Sequence, residues 1–194
     1  TEIPARLAVM LAKIHAIPGE RFGYEQCAAA SNWPEALEGF LRMALADCAR
    51  KHRRSRRGER LLRLLARNRA VLEPVSPRMV NFGLWPSNVI ASRTNGELQL
   101  AWIDPERSFW GDPSVDFVCL AFSRPLSSAE KAIAAYNAVS TAPIEVTRGT
   151  RIRYAFGQGY LALIMETEKY VRYSPLQFGW WRSVLAANLL YRAA

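Results

Sequence analysis

Cysteine is scarce. Cys27, Cys48 and Cys119 are widely spaced, odd in number and without a CxxC pair, which argues against a disulfide framework and fits reduced thiols in a cytoplasmic protein. No apolar run approaches the roughly 20 residues of a membrane span, and no signal peptide opens the chain, so no membrane role is expected. No glycine-rich phosphate loop is present: Gly19 and Gly23 are isolated and follow a helical pattern. Acidic residues are in deficit, 17 against 26 Lys and Arg, for a formal charge of +9. Such a field attracts anionic partners but says nothing about the fold, and it does not by itself make a nucleic-acid binder.

What the chain does have is apolar residues, half of its 194, enough for one domain spanning residues 1–194 that buries roughly two thirds of its unfolded surface. Ile3, Leu7, Met10, Leu11 and Ile14 recur at helical spacing and the run ends at Pro18-Gly19. Leu37, Phe40, Leu41, Ala44 and Cys48 predict a second helix from Pro34 to about Ala49, with Ser31 and Asn32 as caps. The densest charge run, Arg50 to Arg57, follows it and reads as a solvated helix end and loop, or as a docking surface for an acidic or phosphorylated partner. Leu61, Leu62, Leu64 and Leu65 resume a helix that must end before Pro74. Beyond residue 116 the chain reads as helices: one capped by Ser127 or Ser128 and running to Ala138, one over about 147–172, and one after Pro175 reaching Tyr191. Gly157 and Gly159 in the long helix imply close packing or a bend. Phe178, Trp180 and Trp181 are expected in the core, or one of them as a pocket wall.

The centre of the chain is the stretch Met79 to Ile90, then Trp102-Ile103-Asp104-Pro105-Glu106, then Gly111-Asp112-Pro113-Ser114-Val115-Asp116. Segments 88–92 and 98–103 are short, apolar and separated by Asn95-Gly96, a strong hairpin signal. Antiparallel pairing puts Asn88 and Asp104 at the same end of that hairpin, where two oxygen ligands can converge on a divalent cation.

These residues resemble the C-terminal lobe of the aminoglycoside phosphotransferase and choline kinase-like family, whose pattern reads roughly HGDLxxxN, a hairpin, IDxE and GDPxxD. Leu84, Asn88, Ile103, Asp104, Glu106, Gly111, Asp112, Pro113 and Asp116 stand where that pattern wants them. The resemblance implies a mainly α fold with a short β-hairpin, a protein-kinase-like C-terminal lobe without the N-terminal lobe, because the chain begins about where that lobe would have ended. It implies Asn88 and Asp104 as the metal ligands, and structural work for His15 and for Asp112 and Asp116, the two acids tying the loop to the following helix by capping its amides. The family's His-Gly-Asp is replaced by Asn81-Phe82-Gly83, so the carboxylate that would deprotonate the attacking hydroxyl is gone. With the base and most of the nucleotide cradle absent, ATP is not expected as a cofactor.

The expectation is therefore a reduced relative that binds or converts a small organic molecule in the old acceptor cavity, as in bacterial secondary metabolism. Asp104 and Glu106 would be its acid/base residues, their pKa raised by burial among aromatics, while Asn81, Phe82, Trp85 and Trp110 would contact ligand. The alternatives are a non-catalytic pseudokinase or interaction module using Arg50 to Arg57, and a phosphotransferase lobe whose partner lobe was removed or is supplied by another chain.

Overall fold

The structure is a computed structural model that describes residues 2–27 and 29–194. Helix α1 (Glu2–His15) turns Leu7, Ala8, Leu11 and Ala12 into the core. Helix α2 (Trp33–Arg50) is entered through a reciprocal cap: Asn32 accepts from the Glu35 amide at 3.0 Å, and the Glu35 carboxylate accepts from the Ser31 amide at 3.0 Å, satisfying donors that the first turn leaves free. Ser55 does the same for α3 (Arg56–Arg67), accepting from the Gly58 amide at 3.0 Å. The basic run thus spans the end of α2, a turn and the first residues of α3. A four-residue α4 (Arg69–Leu72) closes this part just ahead of Pro74.

Four short strands follow: β1 (Arg78–Val80), β2 (Val89–Thr94), β3 (Glu97–Trp102) and β4 (Phe109–Gly111). β2 and β3 form the predicted hairpin, in register from Val89 opposite Trp102 to Thr94 opposite Glu97. Its turn residues Asn95 and Gly96 have φ of +53° and +82°, the left-handed pair that the right-handed strand twist demands of a two-residue connection. The pairing of β1 with β4, Val80 opposite Phe109, is a second sheet that the sequence does not predict, since three-residue strands this far apart carry no alternation to read.

The C-terminal part is α5 (Glu130–Asn137), α6 (Arg148–Arg172) and α7 (Phe178–Ala193). Helix α6 runs unbroken through both glycines, which serve close packing rather than a bend. A Cβ on Gly157 would stand 2.9 Å from Val115 Cβ, and one on Gly159 would stand 2.7 Å from a Leu61 methyl. Two expectations fail here. Ser127 and Ser128 lie inside a 3-10 turn, Leu126–Ala129, and make no side-chain cap. Phe178 and Trp181 are on the surface, 79% and 61% exposed, because α7 packs on α6 by one face only and its apolar residues surround the whole helix. At the centre, Trp33, Phe40, Phe82, Phe109 and Tyr160 form a cluster of stacked and tilted rings, each burying enough apolar surface to contribute about 1.5–3 kcal/mol. Among the described residues the fold is mainly helical with two small antiparallel sheets, and no helix is long and apolar enough to cross a membrane.

Candidate functional site

The site is organised by a buried carboxylate. Asp116, in the 3-10 turn Pro113–Val118, is wholly inaccessible. Its Oδ1 accepts from the Phe82 amide at 2.6 Å, and its Oδ2 accepts from the Asn81 amide at 2.8 Å and from His15 Nε2 at 3.0 Å. The other ring nitrogen of His15 lies 3.0 Å from the Tyr136 hydroxyl. A carboxylate can only accept, so His15 carries its proton on Nε2; in the neutral ring, Nδ1 accepts from Tyr136. Asp116 therefore ties the 81–83 loop back to α1, rather than capping the helix that follows. Asp112 makes the cap: it accepts from the Ser114 amide at 2.9 Å and pairs with Arg153 at 2.7 Å.

Held in this way, the loop takes an unusual path. Phe82 adopts φ +53°, a left-handed conformation that costs a non-glycine residue about 1–3 kcal/mol unless its surroundings impose it. Its hydrogen bond to Asp116 and its stacking on Tyr160, at 5.5 Å and 23°, impose it. Asn81 Oδ1 accepts from the Gly83 amide at 2.9 Å, closing the turn. Asn88 Nδ2 then donates to the Gly83 carbonyl at 3.0 Å, and the Ile103 amide donates to the Asn88 carbonyl at 2.9 Å, so Asn88 stitches the loop to the far end of the hairpin. Asp104, next in the chain, is itself at φ +63°.

Loop, hairpin and the α6–α7 pair enclose a cavity of about 540 Å³. Trp85, Asn88, Asp104 and Glu106 all line it, together with Gly83. Trp85 meets Phe122 edge to face at 5.8 Å, and with Met165, Leu185 and Leu189 these rings make the apolar wall. Asn81, Phe82 and Trp110 do not line it. The first two are buried and committed to the loop and the aromatic core. Trp110 faces elsewhere: its Nε1 donates to Glu25 at 3.2 Å, and its ring covers Gly19 so tightly that a Cβ there would come within 2.6 Å. Asp104 and Glu106 are exposed, so the expected burial among aromatics is not what the structure has.

Sequence reading missed the cavity's cationic side. Arg107 pairs with Glu168, and Arg172 reaches the same carboxylate at 3.9 Å, while Arg182 also lines the space. The i, i+4 spacing of Glu168 and Arg172 is visible in the chain; what brings Arg107 to them is the packing of α6. Burial, reinforced by the negative charge of Asp116, pushes the Cys119 thiol well above its ordinary value, leaving it protonated and inert beside the site. In the basic run, Arg50 pairs with Asp47 and Arg54 with Glu59 at 2.6 Å. Arg53 and Arg57 lie over the rings of Tyr170 and Tyr191, at 5.6 and 5.1 Å.

Loop, hairpin, Asn88 with Asp104, and capped turn follow one another in the order of the phosphotransferase pattern, and the model of the phosphotransferase enzyme family matches residues 1–160. The chain belongs to that family. A search of the curated proteins finds no match. Among solved structures, the family member is similar to an ADP-bound aminoglycoside phosphotransferase, APH(2'')-Ib, with a TM-score of 0.55 and 16% identity over 98% of this chain. That likeness establishes the kinase-like fold; the chain spans 62% of the length of that structure. A divalent cation, if this chain holds one, would have to sit between Asn88 and Asp104. Asn88 Oδ1 and the Asp104 carboxylate are hard oxygen donors at one end of the hairpin and suit magnesium. Among the described residues no cluster of three or more His, Cys, Asp or Glu side chains adds to them.

Proposed function

We propose that this phosphotransferase-family chain holds or converts a small organic molecule in the cavity under Trp85, and does not transfer phosphate. The observation supporting this is the makeup of the cavity. Its volume, about 540 Å³, is in the range of small-molecule sites, its wall is aromatic and aliphatic, and Gly83 stands where the family carries its base. A hydroxyl brought to Gly83 meets no carboxylate there, and without deprotonation the attacking oxygen is a poor nucleophile. Asp104 and Glu106 remain at the rim as the acid/base or polar contacts. Asn88 and Asp104 would hold a magnesium ion if the ligand is anionic, and the ion would supply charge neutralisation.

The test is ligand-observed NMR with a panel of small aromatic heterocycles, run on the native chain and on Trp85→Ala and Asp104→Asn, alongside calorimetric titration of ATP with magnesium. Binding of a panel member that Trp85→Ala weakens about tenfold or more is the expected result, from the loss of one aromatic wall. Micromolar ATP binding with label transferred to an acceptor, or ligand binding that neither variant alters, would refute the reading.

A further inference from the structure

The outer face of α7 carries a stripe that the core does not use. Phe178, Trp181, Leu185 and Leu189 follow one another at intervals of three, four and four residues and are all exposed, so they form a single ridge about 16 Å long. Leu176, which is 97% exposed, and Val171 extend it toward the end of α6. An apolar surface this continuous is unusual on a chain that meets only water.

Its electrostatic setting says what it meets. From Lys169 to Ala194 there is no Asp or Glu, while Lys169, Arg172, Arg182 and Arg192 are cationic. Arg182 and Arg192 make no ion pair among the described residues. Arg57, over the Tyr191 ring and bonded to Asn188, adds a further charge beside α7. The carboxylates nearest in sequence are already engaged, Glu166 by Ser55 and Tyr191 and Glu168 by Arg107 and Arg172; Asp104 and Glu106 line the cavity that Leu185 and Leu189 share and lie outside the stripe itself.

We propose that this face docks on the surface of an anionic lipid bilayer. Aromatic rings and leucines enter the headgroup and acyl boundary, and the surrounding arginines meet lipid phosphates. A second copy of the chain fits less well, because a two-fold contact would set two predominantly cationic helix faces against each other. Single-stranded nucleic acid would use Trp181 and Phe178 for stacking but leaves Leu176, Leu185 and Val171 with nothing to stack on. The docking lies in the plane of the membrane and involves no spanning segment. Leu185 and Leu189 also line the cavity, so docked face and cavity share a wall, whatever the cavity binds.

The experiment is vesicle co-sedimentation, with tryptophan emission as a second readout, on the intact chain. Vesicles of equimolar phosphatidylcholine and phosphatidylglycerol should bind it and shift its emission to the blue. Pure phosphatidylcholine should bind up to about a thousandfold more weakly, given four cations each favoured near an anionic surface, and added salt should release the bound protein. The variant Leu176→Ser, Phe178→Ser, Trp181→Ser changes exposed side chains and should lose most binding. Arg192→Glu, a charge reversal beyond the apolar ridge, should weaken it by about thirtyfold. Equal binding to neutral vesicles, or binding indifferent to both variants, overturns the proposal. So does self-association, or oligonucleotide binding, that the triple variant abolishes in a protein that leaves vesicles in the supernatant.

Discussion

Replacing Asp116 by Asn keeps shape and volume and removes the charge on which the 81–83 loop hangs. The carboxylate accepts three hydrogen bonds, from Phe82 N, Asn81 N and His15 Nε2, and is wholly buried. An Asn side chain has one acceptor oxygen. Its best orientation keeps that oxygen toward Asn81 and His15 and points the amide nitrogen at the Phe82 N–H, leaving two donors face to face. One buried donor left unsatisfied costs about 1–3 kcal/mol, and the two surviving bonds fall from charge-assisted to neutral strength, losing about 1 kcal/mol each. Against this stands relief of strain, since Phe82, no longer pinned at φ +53°, can relax and recover about 1 kcal/mol. The net is about 3 kcal/mol of lost stability, near the lower end of what breaking a buried charged pair costs. In a chain of this length that is roughly 6–12 °C in Tm. Urea unfolding followed by circular dichroism gives the difference directly, and a double-mutant cycle with His15→Ala should show a coupling of about 1 kcal/mol or more. A loss below about 1 kcal/mol, or full additivity with His15→Ala, would mean that Asp116 is not the tie described.

The packing of α6 predicts that Gly157→Ala destabilises by about 1–3 kcal/mol despite its helix propensity, because the new methyl meets Val115 Cβ at 2.9 Å. Gly39→Ala in α2, where nothing stands within 4 Å, should stabilise by about 1 kcal/mol, and equal signs for the two in chemical denaturation would contradict the placement. Gly83→Asp should not create phosphoryl transfer in a radiolabel assay: its Cβ would stand 3.2 Å from Asn81 Oδ1, so the new side chain disturbs the turn it enters. Burial holds Tyr136, Tyr154, Tyr160 and Tyr191 above the ordinary tyrosine value. The unfolded chain therefore releases these protons first, and their contribution to stability is full below about pH 10 and falls as pH rises beyond it. The urea midpoint should drop in that alkaline window, less steeply in Tyr160→Phe, and an unchanged slope in that variant would be evidence against the assignment.

Where the chain could be read in advance, the reason was local. Asn95-Gly96 dictates a two-residue turn, the turn dictates the register, and the register carries Asn88 and Asp104 to one end of the hairpin without help from the rest of the fold. Helix starts were equally legible at Asn32, where a side chain answers free amides one turn away; the glycines of α6 signalled close packing or a bend, and the choice of packing belongs to the tertiary structure. Phe82 was misread for the opposite reason. An aromatic residue in a catalytic-type loop suggests a cavity wall, yet the direction of its ring follows from φ, and its φ follows from Asp116, more than thirty residues away in the chain. Trp110 was misread alongside it because β4 pairs with a strand near residue 79, a partnership with no sequence signature.

Composition, periodicity and turn chemistry by themselves determined a mainly helical chain with a hairpin and its helix boundaries to within a few residues, and the resemblance of residues 81–116 to a phosphotransferase pattern added the loop with glycine where that pattern has its base. Each of these depends on residues within a turn or two of one another, where backbone hydrogen bonding and side-chain spacing leave few choices. Tertiary structure decided which side chains share the cavity, that Arg107, Arg172 and Arg182 join it from distant elements, and which face of α7 stays in water. Those outcomes depend on which helix packs against which, a choice set by side-chain shape summed over the whole core, and no short stretch of sequence contains it.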